Sequence, residues 1–156
     1  MGKKKVKLGM PLLSRPFLIE CPVAASQAFK RRSGHFVKLD SNRRAEIADS
    51  GDSEIIGWAL VGADWTSSST AGADKITVDT HPLHVWEIPA DATFTAANLA
   101  ALIGKTCDLI VDGNGIQKAD IGESNEDVIV IIGGDVDEQT LYVHLNPNKL
   151  YATGVV

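Results

Sequence analysis

Short apolar stretches separated by turn-forming residues follow one another from Gly34 to the end of the chain. The first, at residues 35–39, places Val37 and Leu39 on one face and Lys38 on the other, which is the two-residue period of a half-buried β-strand. Further strands are predicted at residues 55–61, 76–78, 83–88, 107–111, 128–132 and 141–145. The pattern predicts a mainly β fold, a single β-barrel or β-sandwich over residues 34–156.

Two local signals refine this prediction. Thr95 is suited to cap a short helix at residues 96–103, and Gly104 follows where a left-handed residue commonly ends a helix. The segment Asp112-Gly113-Asn114-Gly115 predicts a tight β-hairpin with a type I′ turn, whose two central residues need positive φ.

A weak internal repeat runs through the predicted strands. Six of the seventeen residues at 48–64 are identical to those 71 positions later, at 119–135. Residues 34–39 map onto residues 104–109 at an offset of 70. Turn glycines inflate such matches, so duplication of 34–64 as 104–135 and chance both stay open. A duplication would give two β-meanders that close one barrel or sandwich, since one meander alone buries too little apolar surface.

The charges are distributed very unevenly along the chain. Residues 1–44 carry eleven Lys or Arg and two Asp or Glu, a formal charge of +9, whereas residues 45–156 carry four and eighteen, a charge of −14. Pro11, Pro16 and Pro22 prevent a continuous helix in this basic region. The sequence therefore predicts an extended basic N-terminal arm over residues 1–33 and a separate β-rich domain over 34–156.

The arm contains the candidate partner-binding residues. Its basic side chains would contact an acidic surface, and one apolar triplet would anchor it. The set comprises Lys3, Lys4, Lys5, Lys7, Arg15, Phe17, Leu18, Ile19, Lys30, Arg31 and Arg32. Two other interpretations remain open for the arm: a basic solubility tail, and a nucleic-acid-binding segment in which Phe17, Phe29 and Phe36 stack on bases.

Residue patterns for catalysis are weak, so the sequence predicts no enzyme, no cofactor and no metal. Nucleophile-elbow, Walker and dinucleotide-binding motifs are absent. His81, His84 and Glu87 have metal-ligand chemistry, but a strand would direct the two histidines to opposite faces. The acidic turns at residues 49–54 and 120–127 lack the ligand spacing of an EF-hand, and solvated turns are the simpler interpretation.

Length and composition set the remaining limits. The 156 residues suffice for one domain without disulfides or metals. Cys21 and Cys107 are expected to be reduced and buried, as in a protein made in the cytoplasm. No apolar run reaches the ~18 residues of a membrane span, and no cleavable signal follows the basic start. A soluble protein without a membrane partner is expected.

The segments Gly34–Asp40 and Ile55–Leu60, with residues 22–27 and the end at 143–149 and 154–156, resemble the small decoration (cement) proteins of tailed-bacteriophage capsids. This resemblance implies a structural virion protein that binds the outer capsid surface after assembly in the host cytoplasm. It also implies the major capsid protein as partner, self-association as a homotrimer, and stabilisation of the shell.

Two other functions compete with this hypothesis. One is a nucleic-acid-associated protein that uses the basic arm. Residues 45–156 carry a formal charge of −14 and would repel phosphates, so nucleic acid is not the expected partner, and any such binding would be weak and salt-sensitive. The other is a carbohydrate-recognition β-sandwich that uses Trp65 and the Ser/Thr loop at residues 66–72.

Overall fold

The computed structural model describes residues 17–149. This part of the chain contains twelve β-strands, one α-helix (α1) and a final 3₁₀ turn, and the mainly β fold class with a single α-helix is thereby confirmed. In chain order the elements are β1 Leu18–Pro22, β2 Ala28–Phe29, β3 Phe36–Leu39, β4 Ala45–Ile47, β5 Gly57–Ala59, β6 Trp65–Thr66, β7 Lys75–Asp79, β8 Trp86–Pro89, α1 Ala96–Leu102, β9 Thr106–Val111, β10 Gln117–Asp120, β11 Ile129–Asp135, β12 Thr140–Leu145 and the 3₁₀ turn Pro147–Lys149.

The strands form two antiparallel five-stranded sheets and one two-stranded ribbon. The first sheet has the order β1-β7-β5-β3-β4, the second has the order β8-β12-β11-β9-β10, and β2 pairs with β6. A single parallel bridge joins the edges of each sheet, Val23 with Ala45 in the first and Ala90 with Ala119 in the second. Each sheet is therefore a nearly closed barrel, which limits the unpaired edge that an open sheet would expose.

Both sheets share one topology. When β1, β7, β5, β3 and β4 are matched with β8, β12, β11, β9 and β10, the strand orders coincide and so does the position of the closing bridge. The two segments of the predicted repeat supply the last three strands of each sheet. Two units with one strand order are what a duplicated segment would produce, and the duplication itself stays a prediction.

The two sheets bury separate groups of apolar side chains. Inside the first sheet, Val37, Ala59 and Val78 are fully buried together with Phe29 from the ribbon. The second sheet encloses a larger group that includes Ile129. This separation follows from the alternation of side chains along each strand, since neighbours on β3 and β5 point to opposite sides of the first sheet.

The outer wall of the first sheet closes the core of the second. Phe36 and Trp58 belong to the second apolar cluster although they lie on β3 and β5. The ring of Trp58 stacks on that of Trp86, with centroids 4.7 Å apart and planes within 1° of parallel. The sequence predicted one barrel or sandwich, and the structure divides its strands between two sheets that share this aromatic junction.

Gln117 connects the two sheets by hydrogen bonds. Its side chain on β10 accepts from the N–H of Phe36 at 2.9 Å and donates to the carbonyls of Phe36 at 2.9 Å and Ala48 at 2.7 Å. The backbone carbonyl of Gln117 accepts from Gly34 N–H, and its backbone N–H donates to the Ser33 hydroxyl oxygen. The side chain is fully buried. One amide group thus ties Phe36 of β3 and Ala48, which follows β4, to β10 of the second sheet.

The short helix matches its sequence signal closely. Thr95 caps α1 in a reciprocal box with Asn98, whose backbone N–H donates to the Thr95 hydroxyl while the Asn98 side chain accepts from Thr95 N–H. Gly104 has φ +85°, the left-handed conformation expected after a helix end. The predicted helix at residues 96–103 is confirmed to within one residue.

The β9–β10 hairpin differs in its turn. Asn114 is not in the left-handed region and only Gly115 is, with φ +74°. Asp112 accepts from the N–H groups of Asn114 and Ile116 through its carboxylate, while Gly115 N–H donates to Asp112 carbonyl. The hairpin is correctly predicted, but the type I′ turn is wrong, because the Asp112 side chain stabilises a longer loop with one left-handed glycine.

We expect the stability of the folded state to depend on pH through Asp112 in this hairpin. The Lys118 ammonium, 2.8 Å away, and the two loop N–H groups lower the pKa of Asp112 from 3.8 to about 2. The folded state therefore gains stability above the unfolded pKa and loses it as the pH falls from 3.8 towards 2. NMR titration of the carboxyl should give a midpoint near 2 that rises in Lys118→Met. A midpoint near 3.8 in the unchanged protein would contradict this assignment.

Two predicted strands are shorter than expected. The run at 55–61 contributes only Gly57–Ala59, and the run at 83–88 begins at Trp86 because His84 N–H donates to the His81 carbonyl in a turn.

The structure also places β-strands earlier in the chain than predicted. Leu18–Pro22 is a strand of the first sheet and Ala28–Phe29 lies in the ribbon, so residues 18–33 belong to the folded body, not to an arm that ends at residue 33. Residues 1–16 lie outside the described part.

Candidate partner-binding surface

Phe17, Leu18 and Ile19, predicted to anchor the N-terminal segment, lie together at the start of β1. Antiparallel pairing with β7 sets Leu18 opposite Asp79 and Ile19 opposite Val78. Within residues 17–149, β1 has a pairing strand on one side only, apart from the bridge at Val23. All three apolar side chains are 42–44% exposed, so this edge combines accessible apolar surface with an open strand.

The chain is held firmly where it enters β1. The carbonyl of Phe17 accepts from both the N–H and the hydroxyl of Thr80, each at 2.8 Å. The Phe17 ring contacts that of His81, with centroids 5.4 Å apart, and His81 stacks on His84 at 4.2 Å. Phe17, the first described residue, is therefore fixed to the loop that follows β7.

A buried carboxylate orients this group. Asp79 is 6% exposed and accepts from the His81 N–H at 2.9 Å through one oxygen, and its other oxygen lies 2.6 Å from Nδ1 of His84. In β7 the alternation of side chains turns Asp79 to the outer wall of the first sheet, where the loop between β7 and β8 covers it. The carboxylate fixes the loop that in turn contacts Phe17.

Three further apolar side chains are exposed on the segments that follow β5 and β7, and the sequence analysis missed their exposure. Leu60 follows β5, and its N–H donates to the Thr77 carbonyl of β7. Leu83 and Val85 lie in the loop that carries the two histidines. All three are 45–57% exposed. The sequence analysis placed these residues in the apolar runs at 55–61 and 83–88, which it interpreted as strands. Their position at the ends of those runs was the signal that could have indicated exposure.

The basic residues of the candidate set divide into two groups. Lys3, Lys4, Lys5, Lys7 and Arg15 lie outside the described residues. The other three occupy the connection from β2 to β3, where the Lys30 ammonium donates to the Asn114 carbonyl and the Arg31 N–H donates to Asp64. Arg32 adopts a left-handed conformation with φ +60°. Lys30, Arg31 and Arg32 thus belong to a folded loop beside the β9–β10 hairpin, not to the edge of β1.

Two of the three aromatic residues named for a nucleic-acid-binding arm are buried and cannot stack on bases. Phe29 and Phe36 are 1% and 0% exposed. Trp65, the aromatic residue of the carbohydrate hypothesis, is half-buried and stacks on Phe29 with centroids 5.9 Å apart. Of the aromatic side chains named for these two hypotheses, Phe17 has the accessible position.

The candidate metal ligands are not brought together. His81 and His84 lie side by side, contrary to the opposite-face prediction, because their segment is a loop and not a strand. Glu87 instead accepts from the Thr140 hydroxyl at 2.6 Å. Among residues 17–149, no group of three or more His, Cys, Asp and Glu has a metal-binding arrangement.

One of the acidic turns is organised around a buried aspartate. Asp108 accepts from the N–H groups of Asn125, Glu126 and Asp127, and these bonds hold the loop before β11. Burial raises the pKa of the nearby Asp120, and the negative charge of the Asp91 carboxylate raises it further. Asp108 therefore has a structural role in shaping this turn.

Both cysteines are free and buried, as the sequence predicted. Burial raises the pKa of the Cys21 thiol inside the first sheet. Burial also raises that of Cys107 in the second, with a further contribution from the Asp108 carboxylate. A raised pKa keeps a thiol protonated and lowers its reactivity, so each behaves as a small apolar core residue.

The solved structures with similarity to this chain include a bacteriophage head fiber protein. The crystal structure of the head fiber gp8.5 N base in bacteriophage phi29 superposes with a TM-score of 0.43 and 12% sequence identity, over 87% of this chain and 100% of that chain. No protein-family model matches the sequence, and no curated protein matches it. Within residues 17–149, no helix has the length and apolar character needed to cross a membrane.

Proposed function

We propose that this chain is a structural protein of a bacteriophage virion, a decoration (cement) protein that binds the outer surface of the head and stabilises the shell by bridging capsid subunits. Its partner would be the major capsid protein. The proposal is supported by the resemblance of residues 34–40 and 55–60 to such proteins. It is carried by one structural observation, the exposed apolar edge of β1.

The edge of β1 has the properties needed to attach a protein to a shell. It presents Phe17, Leu18 and Ile19 on a strand whose second side is open as far as residues 17–149 are concerned, and residues 1–16 carry five basic and no acidic side chains. A partner strand or loop can add to such an edge by main-chain hydrogen bonds and cover its apolar side chains. The basic segment would then reach carboxylates further along the capsid surface.

Apolar burial would supply most of the affinity of this contact. Complete burial of a large apolar side chain is worth about 1.5–3 kcal/mol, and these residues are already more than half buried, so each has roughly 1 kcal/mol to gain. A surface ion pair is worth about 0–1 kcal/mol and weakens with salt. The basic residues would therefore mainly orient and accelerate binding, while the apolar edge holds the protein in place.

A homotrimer is the assembly that best fits this function. Several tied copies bind a symmetric shell with greater avidity than one, and closed cyclic symmetry matches threefold positions on a capsid. Light scattering at high protein concentration and the symmetry of density on decorated particles would both report the number of copies.

The experiment is to decorate particles that lack this protein with purified variants. Phe17→Ser combined with Leu18→Ser should weaken binding roughly 30-fold, the factor that about 2 kcal/mol corresponds to. Deletion of residues 1–16 leaves β1 intact, and we expect it to lower occupancy and the resistance of the particle to heat. Charge reversal at Lys3, Lys4, Lys5 and Lys7 should have a smaller effect that fades in high salt.

Glu20→Ser is the matched control. Glu20 lies on the same strand, is exposed, and within the described residues forms its ion pair with the equally exposed Lys75, so its loss alters β1 without removing apolar surface. Occupancy is measured by co-sedimentation and by imaging of the particles. If the double serine variant decorates the particles as well as the Glu20→Ser protein does, the edge of β1 is not the attachment site. If no variant and no wild-type protein binds particles, the proposed function is wrong.

A further inference from the structure

We propose that a second copy of this chain binds the outer face of β11 and β12, at a surface separate from the β1 edge. This face consists of the outward-facing residues Val130, Ile132, Gly133, Tyr142 and His144, with Ile103 at its margin. The proposal goes beyond attachment to a shell, because a contact between copies can form without any capsid.

A β-bulge creates the central apolar feature of this face. Ile131 pairs with Val143 and Gly133 with Tyr142, so Ile132 is an extra residue in β11 without a partner on β12. Ile131 is fully buried, whereas Ile132 is 41% exposed. Bulges re-aim side chains and persist in folds for that purpose. Here the bulge directs a large aliphatic side chain to the outside of the second sheet.

The neighbouring apolar groups are held rigidly around Ile132. Gly133 has no side chain, and the ring of Tyr142 lies over it, since a Cβ atom at Gly133 would be 3.1 Å from a ring carbon. Gly104 N–H donates to the Ile131 carbonyl at 2.7 Å and fixes Ile103 beside the bulge. Ile103 and Tyr142 are 51% and 37% exposed. Surface that is ordered before association loses little conformational entropy on binding.

The charge distribution indicates which partner this face accepts. Residues 86–149 contain eleven acidic and three basic side chains, yet residues 129–134 and 140–145 contain no Asp, Glu, Lys or Arg. A basic partner or a cation-rich surface would be attracted to the acidic turns elsewhere in residues 86–149. A second copy carries the same negative charge, so it can approach most closely over Ile132 and Ile103, on the side of the face away from Glu87, which lies opposite Tyr142 on β8.

The composition of the face also fits contact between copies. Interfaces between identical chains are more apolar at their centre than other surfaces, with charged residues depleted and tyrosine enriched. β8 pairs with β12 at residues 140–143 and β9 pairs with β11 at residues 129–130, and the proposed contact on the outer face is made by side chains packed face to face. Such packing uses Ile132 and Tyr142 as its central residues.

Analytical ultracentrifugation of the purified full chain over a range of concentrations tests this inference. We expect reversible self-association of the wild-type protein that becomes tighter as NaCl is raised from 0.05 to 0.5 M, because salt screens the repulsion between two acidic bodies while apolar packing persists. Ile132→Asp and Ile103→Asp should each weaken association at least tenfold. Leu60→Asp, an equally exposed apolar position on the first sheet, should leave it unchanged.

Three outcomes would overturn the inference. The first is a wild-type protein that stays monomeric at all concentrations and salt levels. The second is association that survives both aspartate variants with unchanged affinity while circular dichroism shows them folded. The third is association that weakens with salt and vanishes when residues 1–16 are deleted, which would assign the contact to the basic segment. Decoration of particles is measured separately, so failure here and failure of the proposed function are distinguishable.

Discussion

Gln117→Leu is expected to destabilise the protein by about 3–5 kcal/mol. The substitution approximately keeps the volume of the side chain but leaves the N–H of Phe36 and the carbonyl of Ala48 without the partner that Gln117 provides, whereas the Phe36 carbonyl still accepts from Ala48 N–H at 3.0 Å. Each buried polar group without a hydrogen bond costs about 1–3 kcal/mol, and water cannot reach them because Gln117 is fully buried. For a chain of this size the melting temperature should fall by on the order of 10 °C.

Gln139→Leu is the matched control for this prediction. Gln139 makes an analogous set of bonds, since it accepts from Phe94 N–H and donates to the carbonyls of Phe94 and Val136. It is only half-buried, so water can replace the lost bonds and the cost should be about 1 kcal/mol. Thermal and denaturant unfolding of both variants measures the difference. Equal losses would mean that burial of Gln117 has no special importance.

Gly57→Ala is the second change for which we expect a large loss of stability. A Cβ atom at Gly57 would lie 2.1 Å from the carbonyl oxygen of Asp79 and 2.9 Å from a Val78 methyl carbon. The obstacle is the main chain of β7, which cannot turn aside as a flexible side chain would. The pair β5–β7 must separate, and we expect a cost above about 3 kcal/mol, at the upper end for overpacking.

The displacement should also reach the candidate surface. Asp79 carries the contact with His84 and pairs with Leu18 of β1, so movement of its backbone disturbs the loop that holds Phe17. We expect chemical-shift changes of the His84 ring and the Phe17 ring in this variant. Gly62→Ala is the control, because a Cβ atom there meets nothing within 4 Å. A melting temperature equal to that of Gly62→Ala would contradict the close approach of β5 and β7.

Local signals in the sequence predicted the elements that depend on near neighbours. The Thr95 cap, the helix after it and Gly104 were recognised because their hydrogen bonds join residues three to five positions apart. The strands at 107–111 and 141–145 were recognised from apolar alternation. The hairpin between β9 and β10 was found, but its turn type depends on where the Asp112 carboxylate points, which residue types alone do not specify.

The candidate surface was predicted only in part. Phe17, Leu18 and Ile19 were identified as an apolar triplet, and they are exposed together on an edge strand. Their pairing with β7 joins residues about sixty positions apart, so no local pattern could place them in a sheet. The basic residues beside them in the sequence were grouped as one arm, whereas Lys30, Arg31 and Arg32 lie in a loop fixed by Asn114 and Asp64.

The sequence by itself determined that this chain is mainly β, where most strands and the single helix lie, and that both cysteines are buried. These properties follow from side-chain period and from capping chemistry, which act over a few residues. Only the tertiary structure decided that the strands close into two sheets, that Trp58 stacks on Trp86, and that the Gln117 side chain joins Phe36 and Ala48 to the second sheet. The physical reason is that strand partners and buried hydrogen bonds are chosen between distant residues, where a polar Gln117 looks like any solvent-facing position until the whole chain has folded around it.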